Sequence, residues 1–225
     1  MQNTVMPTHR AARVGLWLLP AYGILLGLGT LTHQPSIEDF DAYARYITTD
    51  VFLVSHLGAS IFGAALAVLG VVAVTAYLVP GRAGRLAVAG LVLTTIANIY
   101  LSAAFGSAAF VQPGIGRAHL AGVPGMPALN ADTAYGPALG ATAFSATLLF
   151  VVSAIVLGIA IARTHRRLRA VGVAYAVLLP LFAISGFLLP VVQSAAGFAV
   201  AIATGVLAVQ LPRILDSASS DSSEP

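Results

Sequence analysis

The chain has 225 residues, of which 58% are hydrophobic and only 8% are charged. Soluble domains carry about 25% charged residues, so this composition excludes a soluble globular domain. The net charge of +3 comes from eleven arginines against eight acids. No basic patch lies among aromatic residues, which argues against a nucleic-acid partner. The chain has no cysteine, so disulfides, Cys-ligated zinc and thiolate nucleophiles are excluded as well.

The apolar residues form runs that are long enough to cross a bilayer. A hydrocarbon core of ~30 Å is spanned by about 20 residues of α-helix. Pro190 separates the last two runs, because proline interrupts the helical hydrogen-bond ladder. We therefore predict an all-α, polytopic membrane helical bundle that occupies residues 14–212. Its six transmembrane spans are predicted at about 14–31, 51–79, 86–110, 137–162, 170–189 and 191–211.

The arginines are distributed unequally between the two sides of this predicted bundle. Only Arg45 and Arg117 lie on one side, and the other nine lie on the opposite side. The nine are Arg10, Arg13, Arg82, Arg85, Arg163, Arg166, Arg167, Arg169 and Arg213. The positive-inside rule places the arginine-rich side in the cytoplasm. We expect a multi-pass protein of the cell (plasma) membrane, with a cytoplasmic N-terminus at 1–13 and a disordered, serine-rich cytoplasmic tail at 213–225.

Two segments of the chain, 57–90 and 139–172, align without gaps and are identical at ten of 34 positions. This match indicates either a parallel repeat of a helical hairpin or the shared composition of membrane helices. Small residues also recur four positions apart, in the pairs Gly23/Gly27, Ala59/Gly63 and Gly136/Gly140. Such pairs allow helices to approach closely in lipid, within the bundle, in a helix-mediated homo-oligomer or against a membrane partner.

The six predicted spans contain no Asp, Glu, Arg or Lys. Pumps, voltage sensors and acid-relay transporters usually depend on an intramembrane charge, so the sequence argues against these classes. The third span has a mildly polar face, because Thr95, Asn98 and Ser102 are spaced i, i+3 and i+7. These side chains either line a substrate path or bond neighbouring helices.

The loop at 32–50 is predicted to contain a short interfacial helix that lies on the membrane. Ser36 and Asp39 form a capping box, so the helix is expected to begin near Ile37. Asp41 and Arg45 have the i, i+4 spacing of an ion pair. The predicted apolar face carries Ile37, Phe40, Ala44 and Ile47, with Tyr43 and Tyr46 at the level of the lipid headgroups.

Three of the five histidines are predicted on the outer face. His33 ends the first span, His56 lies near the start of the second, and His119 lies in a Gly/Pro-rich loop at 111–136. The acids of this face include Glu38, Asp39, Asp50 and Asp132. Imidazoles with carboxylates bind zinc, copper or iron, ligate haem, or act as general acid–base groups. No His-x3-His spacing is present, so each histidine taken alone is better explained as a polar anchor at the interface.

The first half of the chain carries a loose pattern of motifs. It contains THQP at 32–35, SHL at 55–57 and a Gly/Arg-rich turn at 80–85. This pattern resembles that of uncharacterised small six-span membrane proteins of GC-rich bacteria. Their usual form has proline directly after the first histidine and often tryptophan before the second, whereas here Gln34 intervenes and Phe52 or Val54 stands in the second region. The resemblance implies a topology and a membrane compartment, and no activity.

Two functions remain open from the sequence. The favoured one is a non-enzymatic, small permease-like or accessory membrane component, because neither an intramembrane charge nor a catalytic signature is present. The alternative is a metal- or haem-dependent membrane enzyme or redox protein that acts at the outer face on a lipid-soluble substrate. It requires His33, His56 and His119 to converge, since metal–nitrogen bonds are only about 2 Å long.

Overall fold

The structure, a computed structural model, describes residues 6–186 and 189–221. Within these ranges the chain is helical and contains no strand. The α-helices are α1 (Met6–Gly15), α2 (Leu18–Gly29), α3 (Phe40–Ile47), α4 (Asp50–Val54), α5 (Gly63–Leu78), α6 (Gly84–Leu120), α7 (Met126–Asp132), α8 (Pro137–Thr164), α9 (Arg169–Ser185) and α10 (Pro190–Asp221). A π-helix (Ser55–Phe62) joins α4 to α5, and a 3-10 turn (Arg166–Leu168) precedes α9.

Six helical segments in the described ranges are long and apolar enough to cross a membrane. They are Arg10–Gly29, Asp50–Leu78, Gly84–Leu120, Pro137–Thr164, Arg166–Ser185 and Val191–Ile214. The predicted all-helical chain with six candidate spans is therefore confirmed, and it is consistent with a multi-pass integral membrane protein. The last two spans separate where the sequence predicted, because α10 begins at Pro190.

The spans pack side by side in chain order and form a closed ring. Contacts run from α2 to α5, from α5 to α6, from α6 to α8, from α8 to α9, from α9 to α10 and from α10 back to α2. Glycines allow the ring to close, since a Cβ added to Gly197 would lie 2.6 Å from the backbone nitrogen of Gly27. A Cβ added to Gly23 would lie 2.5 Å from the backbone nitrogen of Ala201, whereas a Cβ added to Gly140 would meet nothing within 4 Å. The small-residue pair Gly23/Gly27 therefore packs as predicted, and Gly140 does not.

The first span is interrupted between α1 and α2, just before Pro20. Proline has no N–H to donate to the carbonyl of Leu16, so the regular ladder fails at this point. The N–H of Leu19 donates to the Leu16 carbonyl instead, at 3.4 Å.

At the end of the bundle opposite the arginine-rich turns, α3 packs on α6. We call this the cap, and it comprises a cluster of Phe40, Tyr43, Ala44, Ile47, Phe52 and Ile115. The expected start of α3 at Ile37 is wrong, because Asp39 caps the helix by accepting a hydrogen bond from the Ala42 N–H at 3.0 Å. Tyr43 is fully buried in the cap rather than placed at a lipid headgroup.

The third span is longer than the sequence indicated. With 37 residues, α6 is about 55 Å long at 1.5 Å per residue, which exceeds a hydrocarbon core of ~30 Å. Residues 111–120 are thus helical, whereas a loop was expected, and His119 lies in the last turn. Pro113 lies inside this stretch, and Gly116 allows α6 to pack closely against Ile47 of α3.

The last helix also continues further than expected. α10 extends to Asp221, so residues 213–221 of the segment predicted to be disordered are helical. Helix propagation from an established span requires only one further hydrogen bond per residue. Residues 222–225 of this segment lie outside the described residues.

Candidate functional site

A cavity of about 490 Å³ lies inside the ring, near the cap. All six spans contribute residues to its wall. The polar lining side chains are Tyr22, Thr30, Gln34, Ser55, His56, Ser60, Asn98, Thr147 and Gln193. The larger apolar ones are Leu26, Leu101, Phe105, Phe150 and Phe182. Cavities of this size and mixed lining are typical of small-molecule sites.

His56 reaches this wall from the π-helix. The carbonyl of Phe52 accepts from the Ser55 hydroxyl at 2.9 Å and from Nδ1 of His56, also at 2.9 Å. These two side chains compete with the backbone for that acceptor, at the point where the helix adopts the wider i→i+5 pattern. Such π-helical segments occur frequently at functional sites.

The contact with Phe52 also determines the tautomer of His56. A carbonyl oxygen only accepts, so Nδ1 carries the proton and Nε2 of the neutral ring is an acceptor. The imidazole is held against Phe52 at a ring-centroid distance of 4.1 Å and lies 6.0 Å from Phe105. Among the described residues, Nε2 has no hydrogen-bond partner. It is therefore the strongest neutral base in the cavity wall.

Asn98 is the one member of the predicted polar face that lines the cavity. It is 3% exposed, and its amide nitrogen donates to the Thr94 carbonyl at 2.8 Å. Thr95 bonds back to the Leu91 carbonyl of its own helix, and Ser102 is only half-buried and lies away from the lining. Of the three side chains of the predicted polar face, only Asn98 therefore lines the cavity.

The three predicted outer histidines lie in different surroundings. His56 is in the cavity wall, His33 is exposed, and His119 is paired with Asp41. The acids Glu38, Asp39, Asp50 and Asp132 are all exposed and lie outside the lining. Within the described ranges no group of three His, Asp or Glu side chains is arranged to hold a metal ion.

His119 instead fixes the cap to α6. Its Nε2 lies 2.5 Å from the carboxylate of Asp41, and its ring meets the edge of Phe40 at a centroid distance of 4.8 Å. The hydrogen bond from His119, followed by the charges of His119 and Arg45, lowers the pKa of the exposed Asp41. The sequence predicted Arg45 as the partner of Asp41, and it missed the nearer one.

Hydrogen bonds connect the loops on the cap side of the cavity. The Gln34 amide donates to the Tyr135 hydroxyl at 3.2 Å, and the buried Tyr43 hydroxyl donates to the same oxygen at 3.5 Å. Burial raises the pKa of Tyr43, so it remains a neutral donor. Thr30 and Ser194 join α2 to α10 at 3.0 Å. The sequence analysis missed Gln34, Tyr135 and Gln193, because nothing in their local sequence distinguishes them from other polar residues.

Comparison of the chain with protein-family models, with curated proteins and with solved structures finds no match in any of the three. The fold itself defines the class of protein. In residues 6–186 and 189–221 it is a helical bundle with six helices that are long and apolar enough to span a membrane, and with a polar–apolar cavity near the cap.

Proposed function

We propose that the chain is a small, permease-like component of the cell membrane that binds an uncharged, partly apolar small molecule in the cavity. The observation that carries this proposal is the lining itself. Neutral hydroxyl, amide and imidazole groups alternate with Leu and Phe side chains, and no lining residue in the described ranges is charged.

The lack of charge in the wall supports a neutral ligand. A buried ion without a compensating charge or a dense set of hydrogen bonds is strongly disfavoured. Apolar ligand surface, in contrast, gains roughly 25 cal/mol for each Å² removed from water. The few polar groups then orient the ligand and provide selectivity.

The distribution of arginines supports an external position for the cap. The turns at 79–85 and 163–169 carry six exposed arginines at the other end of the bundle. By the positive-inside rule this end is cytoplasmic, as are both termini. The ligand would then enter the cavity from the extracytoplasmic side, between the loops that carry Gln34 and Tyr135.

The geometry favours this binding function over the metal- or haem-dependent alternative. That alternative depends on convergence of His33, His56 and His119, and the part of the chain that the structure describes holds them in three separate environments. His56 alone is positioned to touch a molecule in the cavity. One imidazole among Phe and Leu side chains suits recognition of an organic ligand.

The proposal is tested by titrating the protein in nanodiscs with 1-aminoanthracene, an uncharged fluorescent amphiphile, and subtracting empty nanodiscs. We expect saturable binding that Ala183→Trp weakens at least tenfold, because Ala183 lines the cavity. The matched control, Ala103→Trp, lies on an exposed helix face and should bind like the native chain. Signal that does not saturate, or equal loss in both variants, would contradict an internal binding site.

A further inference from the structure

We propose that His56 accepts a hydrogen bond, through Nε2, from the hydroxyl group of the ligand, and that the ligand is an uncharged phenol. This inference rests on the proposed function, since it concerns the same cavity. It is carried by the hydrogen bonds that the polar lining residues already make within the protein.

Three polar side chains of the lining already donate a hydrogen bond within the protein and, within the described part of the chain, keep a free acceptor. His56 donates through Nδ1 to the Phe52 carbonyl, Asn98 donates to the Thr94 carbonyl, and Gln34 donates to the Tyr135 hydroxyl. Each of these bonds leaves an acceptor on the same side chain: Nε2 of His56, Oδ1 of Asn98 and Oε1 of Gln34. Among the described residues these three atoms have no hydrogen-bond partner.

Three of the lining hydroxyls also donate within the protein: Thr30 to the Leu26 carbonyl, Ser55 to the Phe52 carbonyl and Thr147 to the Ala143 carbonyl. Tyr22, Ser60 and Gln193 can still donate as well as accept, and the amides of Gln34 and Asn98 each keep a second N–H. Nε2 of His56 differs from these groups because it can only accept, so it requires a ligand that donates a hydrogen bond. A neutral imidazole nitrogen is the best acceptor among these groups for an acidic hydroxyl.

The apolar part of the wall selects an aromatic body for that hydroxyl. Phe105, Phe150 and Phe182 line the cavity together with Tyr22. Phe105 already makes an edge contact with the His56 ring, with an interplanar angle of 72°. Rings packed edge to face or offset gain stabilisation beyond that of burial alone. A phenol is one small, uncharged molecule whose hydroxyl can donate to Nε2 of His56 and whose ring can pack on the aromatic side chains of the wall.

The test compares 2-naphthol with 2-methoxynaphthalene, which differ only in the donor hydrogen and one methyl group. Binding to the protein in nanodiscs is measured by equilibrium dialysis, and partition into empty nanodiscs is subtracted. We expect the native chain to bind 2-naphthol about five- to tenfold more tightly, the usual worth of one hydrogen bond. His56→Phe should lower this ratio to about one and keep the affinity for the ether.

Phe182→Leu is the matched control, because it changes the cavity wall and leaves the acceptor in place. It should weaken both compounds and preserve their ratio. If His56→Phe binds neither compound, ¹⁵N NMR of the native imidazole decides: 2-naphthol should shift the Nε2 resonance and the ether should not. Equal affinities for the two compounds, or an unmoved Nε2 resonance, would overturn the role of His56. Failure of both compounds to bind a native chain that does bind 1-aminoanthracene would also overturn this inference, whereas failure of all three compounds would remove the proposed function.

Discussion

The ion pair between Asp41 and His119 connects two parts of the chain that are 78 residues apart. Asp41 lies in the first turn of α3, and His119 lies in the last turn of α6. The pair adds a polar contact at the edge of the apolar cap, where Phe40 packs on the same imidazole. Because Asp41 is exposed, the pair serves to orient α3 more than to stabilise the whole fold.

Acid should loosen this contact. The pKa of Asp41 is lowered from its usual 3.8 in the folded protein, so the unfolded chain binds more protons between the two values. The contribution of the pair is therefore present above the usual pKa, and is lost as the pH falls through the lowered one. Thermal unfolding in detergent between pH 2.5 and about 6 should show a loss of stability in the native chain that is absent in Asp41→Asn. Glu38→Gln, which changes another exposed acid of the loop, should keep the native profile.

Two hydrogen-bonded pairs of side chains show which contacts could not be predicted from the sequence. The capping and ion-pair patterns around Asp39 and Asp41 are local, and they predicted a short helix with nearly the right apolar face. The actual partners are distant: His119 for Asp41, and Tyr135 for Gln34 at a separation of 101 residues. Without the fold, no spacing in the chain indicates that these side chains meet.

At the scale of helices, the contact between α2 and α10 closes the ring. The two backbones approach at Gly27 and Gly197, where no side chain separates them. In lipid, such close contact replaces the hydrophobic driving force that water would provide. The four-residue spacing of Gly23 and Gly27 predicted this approach correctly. The π-helix was not predictable in this way, because the side-chain bonds of Ser55 and His56 at its start have no periodic signature in the sequence.

Gly197→Val should therefore open the ring. Its Cβ would lie 2.6 Å from the Gly27 nitrogen, and a backbone cannot yield as a flexible side chain does. We expect destabilisation of at least about 1–3 kcal/mol, the usual cost of overpacking. Gly140→Val is the matched control, since nothing lies within 4 Å of its Cβ. Equal melting temperatures of the two variants in detergent would show that the α2–α10 contact is not tight.

For the whole molecule, composition and charge placement were sufficient to predict six spans. Span number follows from the length of apolar runs, a property of every residue in the run, and is therefore robust to errors at single positions. The ends of the spans were less predictable, because packing on α3 prolongs α6 to Leu120. The cavity depends on how all six spans meet, and no single segment of the sequence encodes it.

The proposed orientation can be tested directly because the chain contains no cysteine. Glu38→Cys introduces one thiol beside the cap, and Arg82→Cys introduces one in the turn before α6; both positions are exposed. In intact cells a membrane-impermeant maleimide should label the first variant, whereas the second should react only after permeabilisation. The opposite pattern would invert the topology and place the cavity on the cytoplasmic side.

Because of the π-helix, the shape of the cavity depends on the number of residues between α4 and α5 as well as on their identity. Removing a single residue there, for instance Gly58, which has open space beside it, would let each N–H pair four residues back. A π-helix places more residues in each turn than an α-helix, which has about 3.6, so the residues of this segment ahead of the deletion would change position relative to α5. Ser55 and His56 would then be displaced in the wall without a substitution at either position. A one-codon deletion at this position would thus alter the site more than most substitutions within it.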